Sequence, residues 1–286
     1  MKPIYKRLTV IIALVLVALI IYIMWENQTI TVSKYQVSSK KLPTEFDEFC
    51  IVQVSDLHCM EFGEDNNRLL SLIKDAKPDI IVITGDLFDA RRGDRELGAS
   101  FAAETAKIAP TYFVTGNHEF ANDDFDTLEP LLSDAGVFVL RNSSIPIQRG
   151  DSAITILGID DPQIMKEALI AEEINGDEII TDELTATLKD VSGYTVLLAH
   201  RPEHIDKYAE HSVDLVFSGH AHGGQFRFPL IGGLYAPGQG VFPKYTEGVH
   251  EYDDTVMIVS RGLGRSSFPF RFGNPPELVV VTFECE

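Results

Sequence analysis

Short runs of β-branched and aromatic residues recur along this chain, and each ends in a turn that carries an imidazole, a carboxylate or a carboxamide. Ile51-Val52-Gln53-Val54 precedes Asp56 and His58, and Asp79-Ile80-Ile81-Val82-Ile83-Thr84 precedes Gly85 and Asp86. Tyr112-Phe113-Val114 precedes Gly116-Asn117-His118, Thr195-Val196-Leu197-Leu198 precedes His200, and Leu215-Val216-Phe217 precedes Gly219-His220-Ala221-His222. Apolar runs of this length, bounded by turn residues, read as buried strands. The segments between them are helical in part. Asn66 to Ala76 places Leu69, Leu70 and Ile73 on one side, and Arg95 to Ile108 is rich in Ala and Glu. Strand, helix and strand in repetition predict a layered α/β domain. Ligands of such sheets gather beyond the carboxyl ends of the strands, so the turns are expected to converge on one place.

Oxygen and imidazole donors without thiolate suit Mn²⁺, Fe or Zn²⁺ rather than a copper or iron–sulfur site, and no single metal is specified. The set is large enough for two cations. Displacement at phosphorus builds charge on both the attacking and the leaving oxygen, and paired cations about 3.5–4 Å apart stabilise both. One carboxylate must then touch each cation. Asp86 is expected to be that residue, because Gly85 before it lets the backbone turn without a Cβ clash. Any one of these residues alone fits a turn, a cap or a buried hydrogen-bonded histidine. The ordered set does not, since turn chemistry gives no reason for His58, His200, His220, His222 and Asn117 all to stand at strand ends. No serine or cysteine lies in a recognisable elbow or triad pattern, so a covalent phosphoenzyme is not expected.

Asp56-x-His58, Gly85-Asp86, Gly116-Asn117-His118-Glu119, His200 and Gly219-His220-Ala221-His222 resemble the complete signature of the calcineurin-like metallophosphoesterases, over roughly residues 46 to 286. The stretches His222-Gly223-Gly224-Gln225, Leu234-Tyr235-Ala236-Pro237-Gly238-Gln239, Ser260-Arg261-Gly262-Leu263-Gly264 and Arg271-Phe272-Gly273-x-Pro275-Pro276-Glu277 are similar to the membrane-associated YkuE/YaeI-like branch. The resemblance implies an α/β fold with two central mixed β-sheets packed as a sandwich and flanked by α-helices. It assigns Asp56, His58, Asp86 and His222 to one divalent metal, and Asp86, Asn117, His200 and His220 to the other. It also implies that His118 is not a ligand but stands beside the substrate, protonating the leaving oxygen or stabilising charge on the phosphoryl group. A nearby carboxylate would orient it, and the sequence does not say which. The nucleophile is expected to be a hydroxide bridging the metals.

Ahead of this region Leu8 to Trp25 is an uncharged run of Val, Ile, Leu and Ala. As a helix at ~1.5 Å per residue it would span about 27 Å, close to the hydrocarbon thickness. It exceeds a usual signal core and lacks a small-x-small cleavage pattern, which favours an uncleaved transmembrane anchor with Tyr22 and Trp25 at the interface. The expected organisation is a short basic tail over 1–7, the anchor over 8–25, a tether or edge strand over 26–45, and the catalytic domain over 46–286. Lys2, Lys6 and Arg7 favour a cytoplasmic amino terminus, hence a single-pass protein of the cell membrane with an extracytoplasmic domain. Some relatives of the branch are associated with hydrolysis of UDP-diacylglucosamine, which implies the cytoplasmic face instead.

A net charge of −19 argues against a nucleic-acid partner, which requires a basic face. Bound dications would reverse the local potential, so an anionic substrate can still enter the site. Cysteines at 50, 59 and 285 exclude a disulfide scaffold. Arg261, in a Gly-rich loop, is a candidate for gripping a substrate phosphate, with Arg265, Arg271, Arg91 and Arg92 as weaker ones. The expectation is a membrane-anchored phosphohydrolase cleaving a phosphodiester or pyrophosphate bond in an envelope lipid or cell-wall precursor. The competing expectations are a general phosphomonoesterase or nucleotide phosphohydrolase on soluble substrates, and a catalytically silent metal-binding scaffold. Nothing in the sequence fixes an oligomeric state.

Overall fold

A computed structural model describes residues 3–91, 95–121, 125–171, 173–265 and 268–285. Two six-stranded sheets carry the architecture. Their strands, numbered in chain order, are β1 (Thr31–Ser39), β2 (Cys50–Val54), β3 (Ile80–Thr84), β4 (Thr111–Val114), β5 (Phe138–Val139) and β6 (Ser143–Arg149). They continue as β7 (Ser152–Gly158), β8 (Thr195–Leu198), β9 (Leu215–Ser218), β10 (Gly248–Tyr252), β11 (Thr255–Val259) and β12 (Glu277–Cys285). The first sheet has the order β1-β12-β2-β3-β4-β5 and the second β10-β11-β9-β8-β7-β6. Both are mixed: β2, β3, β4 and β5 run parallel while β12 opposes β2, and β7, β8, β9 and β11 run parallel between antiparallel edges.

The helices are α1 (Pro3–Glu26), α2 (Asn67–Ala76), α3 (Arg95–Ala106), α4 (Asn117–Phe120), α5 (Phe125–Asp134), α6 (Lys166–Ile170), α7 (Gly176–Thr187) and α8 (Ile205–Glu210). Side chains alternate across each strand, so a wholly apolar strand must be covered on both faces. Ile51, Ile80, Val82 and Val114 of the first sheet meet Ile156, Val196, Leu198 and Phe217 of the second, forming the sandwich core. Their neighbours Val52, Val54, Ile81, Ile83 and Phe113 point outward beneath Leu69 and Ile73 of α2, Phe101 of α3 and Leu128 of α5. On the far side Leu197, Val216 and Met257 pack under Ile180 and Leu184 of α7 and Tyr208 of α8. This is the sandwich of two mixed sheets flanked by helices that the resemblance implies. Because β2, β3 and β4 belong to one sheet and β8 and β9 to the other, the five turns converge across the seam between two sheets rather than along the edge of one.

Residues 31–39 form an edge strand, pairing in parallel with β12 from Thr31↔Glu277 to Ser39↔Cys285. Ahead of them, α1 is long and apolar enough to cross a membrane, and its apolar window from Tyr5 to Glu26 is not buried against the rest of the chain. Only its carboxyl end docks. Glu26 and Asn27 are buried, and Asn27 accepts from the Arg271 backbone N–H at 2.8 Å while donating to the Arg271 carbonyl at 2.9 Å. A Glu26 carboxylate oxygen accepts from Gly273 N–H at 3.0 Å. Lys2 and Arg92 lie outside the described residues.

Candidate metal centre

The loops that end β2, β3 and β9 turn sharply. Asp56, His58, Asp86, His220 and His222 all have φ between +48° and +63°, a left-handed region that costs a non-glycine residue about 1–3 kcal/mol. Gly85 reaches φ +85°, and a Cβ there would lie 2.6 Å from His200 Nδ1, so both backbone and space require glycine. Five of the sixteen described non-glycine residues in this region are thus candidate ligands, gathered in three loops.

The side chains meet in two groups. Asp56, His58, Asp86 and His222 present donor atoms all within 4.8 Å of one another, as do Asp86, His200 and His220. In the first group His58 Nε2 lies 3.1 Å from His222 Nε2 and 3.5 Å from Asp86 Oδ2, and His222 Nε2 lies 3.2 Å from Asp56 Oδ1. In the second, His220 Nδ1 lies 3.1 Å from His200 Nε2, and His200 Nε2 lies 3.4 Å from Asp86 Oδ2. Asp86 Oδ2 therefore stands in both groups. Asn117, the carboxamide beside them, has a buried Oδ1 with no hydrogen-bond partner.

These observations fit divalent cations. Donors held about 2.0–2.2 Å from one ion lie about 3–3.5 Å apart, the spacing found here. Paired imidazole nitrogens facing one another, and an orphaned buried carboxamide oxygen, are costly without an acid to receive their lone pairs. His200 Nδ1 donates to the Thr84 carbonyl at 2.8 Å, which leaves the Nε2 lone pair free for a ligand bond.

Electrostatics point the same way. Burial pushes His58 down to about 3 and holds His220 and His222 well below the usual imidazole range, so these rings stay neutral as ligands must. Burial also raises Asp56 to about 6. At Asp86 burial is outweighed by His200 and His58, which hold the carboxyl well below its ordinary value. At His200 burial is outweighed by the Asp86 carboxylate, which lifts the imidazole to about 10. A dication supplies the positive charge that this pair otherwise draws from a proton.

His118 stands beside the first group, its ring 4.5 Å from that of His58. Its backbone N–H donates to Asp86 Oδ1 at 2.8 Å, and its Nδ1 accepts from Ala90 N–H at 3.1 Å. Its Nε2 lies 3.4 Å from Arg91 Nη2. Asp89 Oδ1, which the sequence does not single out, lies 3.6 Å from His118 Nδ1. His58, Asp89 and His118 also satisfy the distance test for a metal. His58 Nε2 lies with the first group, 3.1 Å from His222 Nε2, and its Nδ1 is buried without a partner.

Two supporting residues stand in stretches quoted for the resemblance, which assigns neither of them this supporting place. Glu119, buried behind the loops, accepts from Asp86 N–H at 2.9 Å, Gly116 N–H at 2.6 Å and Phe88 N–H at 3.2 Å. Burial raises its carboxyl to about 8. Arg271 is 1% exposed and donates to the carbonyls of Gly264 (2.9 and 2.6 Å) and Arg261 (2.7 Å), with Nη2 3.2 Å from His222 Nδ1. Burial lowers this guanidinium to about 10. It braces the His222 ring from behind rather than facing substrate.

Arg261, the candidate for substrate binding, is placed differently. Its guanidinium donates to Glu247 at 3.1 Å and Thr31 at 2.7 Å and lies 3.3 Å from Glu277, tying β1 to the start of β12. Its two Nη atoms are engaged by two carboxylates and a hydroxyl, while its buried Nε has no partner. Arg91 is an exposed cation beside His118.

A model of the calcineurin-like phosphoesterase family matches residues 50–224. The uncharacterized metallophosphoesterase YkuE of Bacillus subtilis is 30% identical over 266 residues, covering 91% of this chain and 87% of its own. An uncharacterized metallophosphoesterase of Aquifex aeolicus is 32% identical, covering 91% and 94%. A transmembrane protein with a metallophosphoesterase domain from Danio rerio is 27% identical, covering 87% of this chain and 56% of its own.

Proposed function

Because this chain belongs to the calcineurin-like phosphoesterase family and is a metal-dependent phosphoesterase, we propose that it is a membrane-anchored hydrolase with two divalent cations, cleaving a phosphodiester or pyrophosphate bond. The observation that carries the dinuclear reading is Asp86 Oδ2, which lies 3.5 Å from His58 Nε2 and 3.4 Å from His200 Nε2 and so serves two ligand sets. One cation belongs to Asp56, His58, Asp86 and His222, the other to Asp86, Asn117, His200 and His220. Mn²⁺, Fe and Zn²⁺ all suit this donor set. Bound there, the ions polarise the phosphoryl oxygens and acidify a water near neutral pH.

The residues of the chain do the rest. Protonated on both nitrogens, His118 would give its Nε2 proton to the leaving oxygen and keep the proton on Nδ1, where Asp89 Oδ1 at 3.6 Å stabilises the charged ring. Arg91 supplies positive charge to the departing side of the phosphate. Asp86 Oδ1, by accepting from the His118 backbone N–H, fixes the distance between the acid and the metal ligands. The buried docking of Glu26 and Asn27 on the Arg271 loop ties the end of α1 to the site, which supports an envelope lipid or cell-wall precursor as substrate. Lys6 and Arg7 before the span favour an extracytoplasmic site.

The test assays the full chain on a phosphomonoester, a phosphodiester and UDP-diacylglucosamine, with His118→Ala alongside. Loss of an acid should lower turnover by about 10²–10⁴ while metal content stays that of the parent. A His118→Ala chain that loses metal would make His118 a ligand, and one that retains full turnover would remove it from the chemistry.

A further inference from the structure

We propose that the apolar loops spanning residues 226–242 and 268–272 seat in the lipid leaflet that receives the end of α1, so that the metal centre lies against the bilayer surface. The proposal rests on the reading of α1 as a membrane span.

Continuity is the first argument. The Tyr22 ring, near the end of α1, lies 6.1 Å edge-on from Phe272, and Phe272 lies 6.1 Å from Phe228. Phe226 is 5.2 Å from Phe268 and 5.6 Å from Phe270. The two loops are joined through their backbones, Arg227 N–H donating to the Phe272 carbonyl at 2.9 Å. Ring contacts thus run from Tyr22 through Phe272 to Phe228, beside a second cluster of Phe226, Phe268 and Phe270 on the same pair of loops.

Exposure is the second. Phe228, Leu230, Ile231, Val241, Phe242 and Phe268 are all exposed although large and apolar. Leu230 is wholly exposed and sits at φ +71°, a tip that directs a leucine away from the domain at a backbone cost. A contiguous patch of this kind on a soluble face is unfavourable unless something covers it.

Charge selects the cover. The chain has 43 acidic residues, yet residues 223–246 and 255–276 contain none. The same stretches hold Arg227, Lys244, Arg261, Arg265 and Arg271. Lys244 is exposed beside Val241 and Phe242. Arg227 and Arg261 are paired with Glu247 and Arg271 is buried, so of these cations Lys244 is the exposed one. Apolar tips beside an exposed lysine, with no acidic residue in their own sequence, match a lipid interface, which repels the rest of this acidic surface. The loop that bears Phe272 also bears Arg271 behind His222, and Asn274 donates to the His222 carbonyl at 2.7 Å. Seating the loops therefore fixes the height of the site above the headgroups and admits a phosphate from a substrate that moves within the leaflet.

Trp25 is the sole tryptophan, which makes the test direct. The full chain is reconstituted in vesicles of phosphatidylcholine and phosphatidylglycerol, with acyl chains brominated or not, and tryptophan emission is read. Quenching of Trp25 reports that α1 enters the bilayer. In W25F/L230W and W25F/F242W, bromination should lower emission about twofold, as expected for side chains sunk 5–10 Å into the interface. W25F/D151W, at the opposite end of β7, should be unaffected. If Trp25 is quenched but L230W and F242W behave like D151W, the proposal is overturned and a protein partner or second copy covers the patch. If Trp25 itself is not quenched, the membrane-span reading fails, and the proposal with it.

Discussion

Gly219 has no room for a methyl group, and Gly219→Ala tests whether that space holds a ligand in place. A Cβ built there would lie 1.9 Å from Ser55 Oγ and 2.3 Å from Asp56 Oδ2. Both side chains are fully buried, and the Ser55 hydroxyl donates to Asp56 Oδ2 at 2.6 Å. Ordinary carbon–oxygen contact requires the carboxylate oxygen to retreat by about 1 Å and the hydroxyl by rather more. Overpacking of this kind costs about 1–3 kcal/mol. Losing a buried hydrogen bond to a carboxylate costs about 1.5–3 kcal/mol more. In a domain of 150–250 residues each kcal/mol lowers Tm by about 2–4 °C, so a fall of roughly 5–20 °C is expected by calorimetry on the metal-free chain. Asp56 also accepts the His220 backbone N–H on both oxygens at 3.1 Å, so its displacement disturbs the neighbouring ligand loop. Ligand distances tolerate only about ±0.2 Å, and elemental analysis should show depletion of the metal held with His58 and His222. A G219A chain that melts within about 1 °C of the parent and keeps its full metal content refutes the argument.

Other consequences follow from single residues. Glu183 has one buried carboxylate oxygen without a partner, and burial raises its carboxyl to about 8. The stabilising contribution of its protonated form is complete below pH 4.5 and is lost as pH rises towards 8. E183Q keeps a neutral side chain throughout, so its Tm advantage over the parent should widen across that window, to the order of a few kcal/mol, and level off above it. A constant difference would mean that Glu183 does not titrate there. Lysine cannot reproduce the fork by which Arg271 reaches two carbonyls and His222, so R271K should weaken metal binding about 10–100-fold in chelator competition. Unchanged affinity would make the brace irrelevant to the ligand.

The local part of this structure is legible in the sequence. Runs such as Ile80–Thr84 and Leu215–Ser218 are strands because continuous β-branched and aromatic residues bury both faces, and the turn after each carries the chemistry. Leu69, Leu70 and Ile73 likewise mark the buried face of α2. What depends on distant partners is not legible. Nothing in Glu277–Cys285 announces that it slots between β1 and β2, since that placement is decided by which sheet edges are vacant. Asp89 stands close to His118 although 29 positions separate them, and the guanidinium of Arg271 lies near His222 across the fold. Arg261 shows the converse. A cation in a glycine-rich loop reads as a phosphate grip, and its ion pairs with Glu247 and Glu277 across the fold are not visible in that reading. In each case the residue type was visible and its partner was not.

The shared carboxylate is the centre of the account, and metal stoichiometry tests it directly. Elemental analysis of the full chain and of Asp86→Ala should give about two divalent ions per parent chain and about none in the variant, because one side chain serves both sets. One ion retained in Asp86→Ala, or a folded parent that binds only one, would contradict a centre bridged by Asp86.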